Sequence, residues 1–211
     1  MRASWMMVFV LATGLAACKK DKKEGGEEQP AEQPSEQPTE QPEQPAEQPE
    51  QPAAANLTEI GIPDAKTPVD GVVTGGQVTD EHLAKAKEMG VKTVVNLRSE
   101  GEKAEYETEQ AKAEELGMKY IHMPIDSKTG EGLDEANAKK LAEILEGEEK
   151  PMIVHCKSGQ RVGALFALKA HHVDGKSPEE ALEIGTQAGL SAPPLVEMVQ
   201  KKMAGDAGDK K

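Results

Sequence analysis

Apolar and polar positions change rhythm along the chain, and each change suggests an element. Val72-Val73-Thr74 reads as a short strand. Thr79 then caps a helix with Asp80 and Glu81 in its first turn, Leu83 on its inner face and Gly90 as its stop. KTVVNL (92–97) is β-branched and apolar, the pattern of a buried strand. Residues 102–116, rich in Glu, Ala and Lys with Gly117 beyond, predict a surface helix, and the acidic run from Glu100 to Glu115 predicts its solvated face. A strand over 118–125, a helix over 133–145 closed by Gly147, and a strand over 151–155 follow. An apolar helix spans 162–171, Ser177-Pro178-Glu179-Glu180 is a capping box for a helix reaching about Ala188, and 193–203 is the last helix. Such alternation of strand and helix implies right-handed crossovers: an α/β fold with a mainly parallel central sheet flanked by helices. In sheets of this kind, sites gather at the carboxyl ends of the strands.

The first 56 residues carry no such rhythm. Arg2 precedes an apolar run from Trp5 to Leu15, too short for a permanent span, which reads as an export signal. Its end, Leu15-Ala16-Ala17-Cys18, resembles the lipobox of bacterial lipoproteins. That resemblance implies a signal over 1–18 and lipidation of Cys18 as the mature N-terminus. The protein is then expected to be exported and lipid-anchored at the periplasmic face of a membrane or at the cell surface. An ordinary export signal with a chance cysteine is the alternative. Residues 19–56 contain seven Glu-Gln-Pro units between Glu28 and Pro52 and have too little apolar content to offset ordering entropy. They read as a disordered, proline-extended linker. A single domain is expected over 57–204, with a flexible tail over 205–211.

Charge and cysteine count narrow the chemistry. From residue 56 onward there are 28 acidic and 20 basic residues, net −8 of the chain's −13. With no basic run, nucleic acid is not an expected partner. His171-His172 would point about 100° apart on a helix with no third ligand evident, so no metal or other cofactor is expected, and a monomer is. The chain has two cysteines. If Cys18 carries lipid, Cys156 has no disulfide partner, and an unpaired thiol in an exported protein invites the question of its use.

The stretch IVHCKSGQRVG (153–163) addresses that question. A loop between a buried strand and a helix N-terminus presents successive backbone N–H groups toward one point, where the helix dipole adds positive potential. Gly159 permits the tight curve, and Arg161 adds a planar fork able to grip two oxygens of an oxyanion. Such a field favours thiolate at the loop's start, making Cys156 a nucleophile. The backbone of Lys157, Ser158, Gly159, Gln160 and Arg161 is thus the candidate oxyanion cradle.

HCKSGQR resembles the signature loop of cysteine-based protein phosphatases, His-Cys-x5-Arg followed by Ser or Thr. The chain from about 72 to 190 resembles the phosphatase-like domain of the beta-lactamase hydrolase-like family, related to dual-specificity phosphatases. The blocks GGQVTDEHLAKAKEMGVKTVVNLR, GMKYIHMPID and IVHCKSGQR carry the likeness. In that branch only four residues separate cysteine from arginine, as here. The resemblance implies that Cys156 attacks phosphorus, that Arg161 holds phosphoryl oxygens, and that His155 orients the loop. It implies a phosphorylated protein or small molecule as substrate. Asp126, thirty residues before the cysteine, matches the general acid of dual-specificity relatives, although a turn-forming aspartate reads equally well there. Asp134 is a weaker rival, expected in the first turn of a helix. Gln77 and Arg98 lie in the resembling blocks, with roles in the fold expected for both. Val162 departs from the pattern, standing where relatives carry Ser or Thr; Ser158 is the nearby hydroxyl. On the loop alone CKSGQR also fits a rhodanese-like sulfurtransferase with a persulfide on Cys156, but the aspartate-arginine pair and Gly-His-Ile-Pro-Gly-Ala-like segment of rhodaneses are missing. A non-catalytic domain that binds an oxyanion or a partner is the third reading.

Overall fold

A computed structural model describes residues 56–102 and 105–205. The signal, Cys18, all but the last residue of the linker, and residues 206–211 of the tail lie outside the described residues. In chain order the elements are β1 Lys66–Val69, β2 Val72–Gly75, α1 Asp80–Glu88, β3 Thr93–Arg98, α2 Glu105–Glu115, β4 Lys119–Ile125 and α3 Glu135–Gly147. β5 Met152–His155, α4 Gln160–His172, α5 Pro178–Gln187 and α6 Pro193–Gly205 complete them.

The sheet runs β1-β2-β5-β3-β4, with β1 antiparallel to β2 and every other pair parallel. β2, β3 and β5 are buried along their whole length, which is why they read as near-continuous apolar runs. Two apolar clusters cover them. Leu141, Leu165, Phe166 and Val199 from α3, α4 and α6 pack on one face with Ala181 of α5. Leu83 of α1 and Ala113 of α2 pack on the other with Leu57 and Ile60. The chain is therefore the α/β fold that its alternation predicts.

β5 occupies the middle of the sheet, so whatever follows it emerges at the centre of the carboxyl edge. α4 leaves from that edge and is buried along most of its surface. It passes α5 closely: a Cβ on Gly163 would overlap Leu190 N and Gly185 O.

Four expectations are corrected. β1, an exposed edge strand containing Pro68, shows no apolar alternation and is absent from the pattern. α4 begins at Gln160, two residues before its apolar run, because Gly159 serves as N-cap in the left-handed region at φ 75°. Asp134 is not in a first turn but is the N-cap of α3, accepting from Asn137 N–H. Finally, α2 starts at Glu105 after a 3-10 turn over Glu100–Glu102, and its acidic run is not uniformly solvated: Glu109 is only 5 % exposed.

Candidate active site

Cys156 follows the last residue of β5, fully buried and free. Its N–H donates to Gly75 O at 3.2 Å, extending the pairing of β5 with β2 by one residue. The N–H groups of Lys157, Ser158, Gln160 and Arg161 have no backbone acceptor among the described residues. They stand at the N-terminus of α4, where unsatisfied donors and the helix dipole favour an anion. The loop lines a pocket of about 380 Å³ whose lining residues are all polar or charged, including Glu102, Asp126, Lys128, Lys157, Ser158 and Arg161; the buried Cys156 is not among them.

Arg161, in the first turn of α4, is 4 % exposed. Its Nη2 donates to Glu102 Oε2 at 2.9 Å and its Nη1 to Glu102 Oε1, a two-point contact. Nη1 also donates to Ile125 O at 3.0 Å. Glu102 thus occupies one edge of the guanidinium and leaves the Nε edge for another oxyanion. Burial works against the arginine's charge, but Glu102 and the Cys156 sulfur together raise its pKa. Burial likewise opposes ionisation of Glu102, and Arg161 with Ser99 outweighs it, holding the carboxyl at about 2.

Asp126 follows β4 and lines the same pocket. Its Oδ1 accepts from Lys128 N–H at 2.7 Å and Thr129 N–H at 3.0 Å, the turn-forming arrangement. Those donors hold its carboxyl below the ordinary range. The turn-forming reading is therefore met, with one oxygen committed to the turn.

His155 is fully buried, and its Nε2 lies 2.7 Å from Glu109 Oε1. That oxygen also accepts from Asn96 Nδ2 at 3.0 Å and from Tyr120 OH at 3.0 Å, and Oε2 accepts from Gln77 Nε2 at 2.9 Å. Gln77 Oε1 in turn accepts from Arg98 Nη1 at 2.6 Å, and Arg98 pairs with Glu102 at 3.4 Å. Gln77 and Arg98 thus take roles in the fold that reach the site from behind.

The remaining loop positions divide by what they touch. Lys157 and Ser158 are exposed at the pocket. The Gln160 side chain turns away: its Oε1 accepts from Ser191 and Ala192 N–H, both at 2.8 Å, and its Nε2 donates to Ser191 Oγ. Only its main chain remains for an anion. Val162 is fully buried in the same apolar cluster as Cys156. Among the described residues no group of three or more His, Cys, Asp or Glu could hold a metal.

Sequence reasoning missed Glu102 and Glu109. The GGQ and NLR blocks pointed at their partners Gln77, Asn96 and Arg98, but nothing local separates these two glutamates from their neighbours.

Comparison with known proteins agrees with this geometry. A family model described as a DSP-PTPase phosphatase fused to NAD+ kinase matches residues 49–200. The beta-lactamase hydrolase-like proteins of two Xylella fastidiosa strains are 31% identical over 114 residues, 53% of this chain. The chain spans 25% of the length of those relatives. Among solved structures, a DUF442 protein of Shewanella putrefaciens superposes with a TM-score of 0.53 at 19% identity, covering 71% of this chain and 97% of that one. A Neisseria meningitidis protein gives 0.54 at 16% identity, over 65% and 96%, and Tk-PTP in its active form gives 0.50 at 19%, over 67% and 97%. These likenesses establish the fold; the family match, spanning the loop and the network behind it, establishes kinship. The chain belongs to the family of DSP-PTPase phosphatases fused to NAD+ kinase, and residues 49–200 carry a cysteine-phosphatase-like domain of the dual-specificity type.

Proposed function

We propose that the chain is a membrane-tethered phosphatase that hydrolyses phosphate monoesters through a phosphocysteine on Cys156. The observation that carries the reading is the placement of Cys156 at the end of the central strand, at the start of a loop whose N–H groups lack backbone acceptors, and beside Arg161. The Cys156 thiolate attacks phosphorus, a P–S bond forms and the P–O ester bond breaks. The N–H groups of the loop and the Nε edge of Arg161 take up the charge on the phosphoryl oxygens, the main electrostatic contribution. Glu102, held on the opposite edge of the guanidinium, keeps that fork aimed.

Asp126 is the candidate donor of the proton to the leaving oxygen, since Glu102 is committed to Arg161. Water then attacks the phosphocysteine, the P–S bond breaks, inorganic phosphate leaves, and the proton from water returns to Asp126. Val162 supplies no hydroxyl to assist the departing thiolate, so breakdown of the phosphocysteine is the slow step. The polar pocket, with no aromatic wall, favours small or alkyl phosphate esters over aryl phosphates.

Tethering rests on the export signal, on Cys18 at the lipobox and on the acidic, proline-rich linker, which would hold a monomeric domain off the membrane surface. Two measurements test the reading. Cys156→Ser should abolish turnover of para-nitrophenyl phosphate, and rapid quenching of the wild type should trap phosphate on sulfur. Thiosulfate-to-cyanide transfer instead, or a wild type inert in both assays, would sink it. Cys18→Ala should move the protein from the membrane fraction to the soluble one; an unchanged distribution refutes the tether.

A further inference from the structure

We propose that Glu109 is the positioning residue for the nucleophile. It fixes the tautomer and ring orientation of His155 and joins that histidine to Arg161 through Gln77, Arg98 and Glu102. The proposal rests on the phosphatase reading for its kinetic consequence but not for its structural one.

Glu109 belongs to a helix whose neighbouring acidic side chains Glu107, Glu114 and Glu115 are exposed, yet it is 5 % exposed. A buried carboxylate is costly unless its lone pairs are used, and four side-chain donors use them here: Gln77, Asn96, Tyr120 and His155, at 2.7–3.0 Å. A helix does not turn a glutamate inward to bind four partners for its own stability alone, since an apolar residue would fill the same space without the desolvation cost.

The consequence for His155 follows from donor and acceptor roles. Glu109 Oε1 already accepts from Asn96 and Tyr120, so Nε2 of His155 must be the N–H facing it. Nδ1 is buried with no hydrogen-bond partner among the described residues. A proton there would be a buried donor without an acceptor, the more expensive orphan. Both facts select the Nε2–H tautomer and leave a lone pair on Nδ1. The ring is pinned at the last residue of β5, one peptide bond before Cys156.

The network does not stop there. Gln77 carries Glu109's hydrogen bond to Arg98 through its other amide atom, and Arg98 reaches Glu102, whose carboxylate holds Arg161. Charges alternate along it: Glu109, Arg98, Glu102, Arg161. The residue before the nucleophile and the arginine that grips the oxyanion therefore rest on one frame, built from α2, β3 and the segment after β2.

The test uses the full chain labelled with ¹⁵N. In the wild type at neutral pH, imidazole nitrogen shifts should show His155 as a single tautomer with hydrogen on Nε2. Hydrogen on Nδ1 would overturn the proposal whatever the variants do. In Glu109→Gln the single tautomer should be lost. The single-turnover rate of phosphocysteine formation from saturating para-nitrophenyl phosphate should fall roughly 10²-fold, the scale of a small misplacement of the attacking group. Glu109→Asp should recover part of both. An unaltered tautomer with an unaltered formation rate in Glu109→Gln would refute the idea. If the wild type turns over no phosphate ester, the phosphatase reading fails instead. The tautomer, and the rate of Cys156 alkylation by iodoacetamide, which should drop at least about tenfold in Glu109→Gln, still decide the role of Glu109.

Discussion

Glu102 sets how the site answers to acid. Its folded carboxyl titrates at about 2 against an ordinary 4.5, so the unfolded chain binds that proton first. The stability it contributes is complete above about 4.5 and is lost as pH falls from there toward about 2. Urea midpoints of the wild type should drop across this window more steeply than those of Glu102→Gln; parallel curves would show that the pair with Arg161 contributes nothing. Asp126 is the second case. Its carboxyl lies below the ordinary range because two backbone N–H groups favour the anion, so the protonated form needed by a general acid grows as pH falls. Asp126→Asn should therefore slow phosphocysteine formation from alkyl phosphates, whose leaving groups need a proton, by roughly 10² or more in single-turnover measurements, and leave its formation from para-nitrophenyl phosphate little affected. Equal losses on both substrates would make the residue a turn former only.

At the scale of elements, the loop is positioned by what closes behind it. α4 approaches α5 and the turn after it at Gly163, where any side chain meets backbone. Gly163→Ala should cost about 1–3 kcal/mol in urea unfolding, the usual range for overpacking, and a neutral result would mean that α5 moves aside freely. Much of this layer was legible in the sequence because its signals are local. Thr79, Ser177 and the KTVVNL run announce their elements within a few residues, and the capping boxes at Thr79 and Ser177 are formed. The candidate loop was legible for the same reason. What stayed hidden depends on partners far along the chain. Glu109 meets His155 across 46 positions, and Glu102 meets Arg161 across 59. On a helix with hardly any apolar stripe, nothing local tells an inward glutamate from a solvated one. β1 escaped because an exposed edge strand buries too little to impose alternation.

For the whole molecule, two apolar clusters on the faces of one sheet hold every buried apolar side chain among the described residues except Ala142, and the earliest of these is Leu57. A chain lacking residues 1–55 should keep the urea midpoint of the full protein and its kcat/KM for para-nitrophenyl phosphate. A lower midpoint would assign the linker a stabilising role. No helix among the described residues is long and apolar enough to cross a membrane.

The commitment of Gln160 to the turn at Ser191 and Ala192 bears on how this site can change. Of the residues between nucleophile and arginine, Gly159 is held by its left-handed backbone and Gln160 by its grip on the start of α6. Lys157 and Ser158 alone are exposed at the pocket, and their side chains have no such duty. Selection for a new substrate, in nature or in a library, has two positions in this loop to work with; at the others it must first rebuild the scaffold.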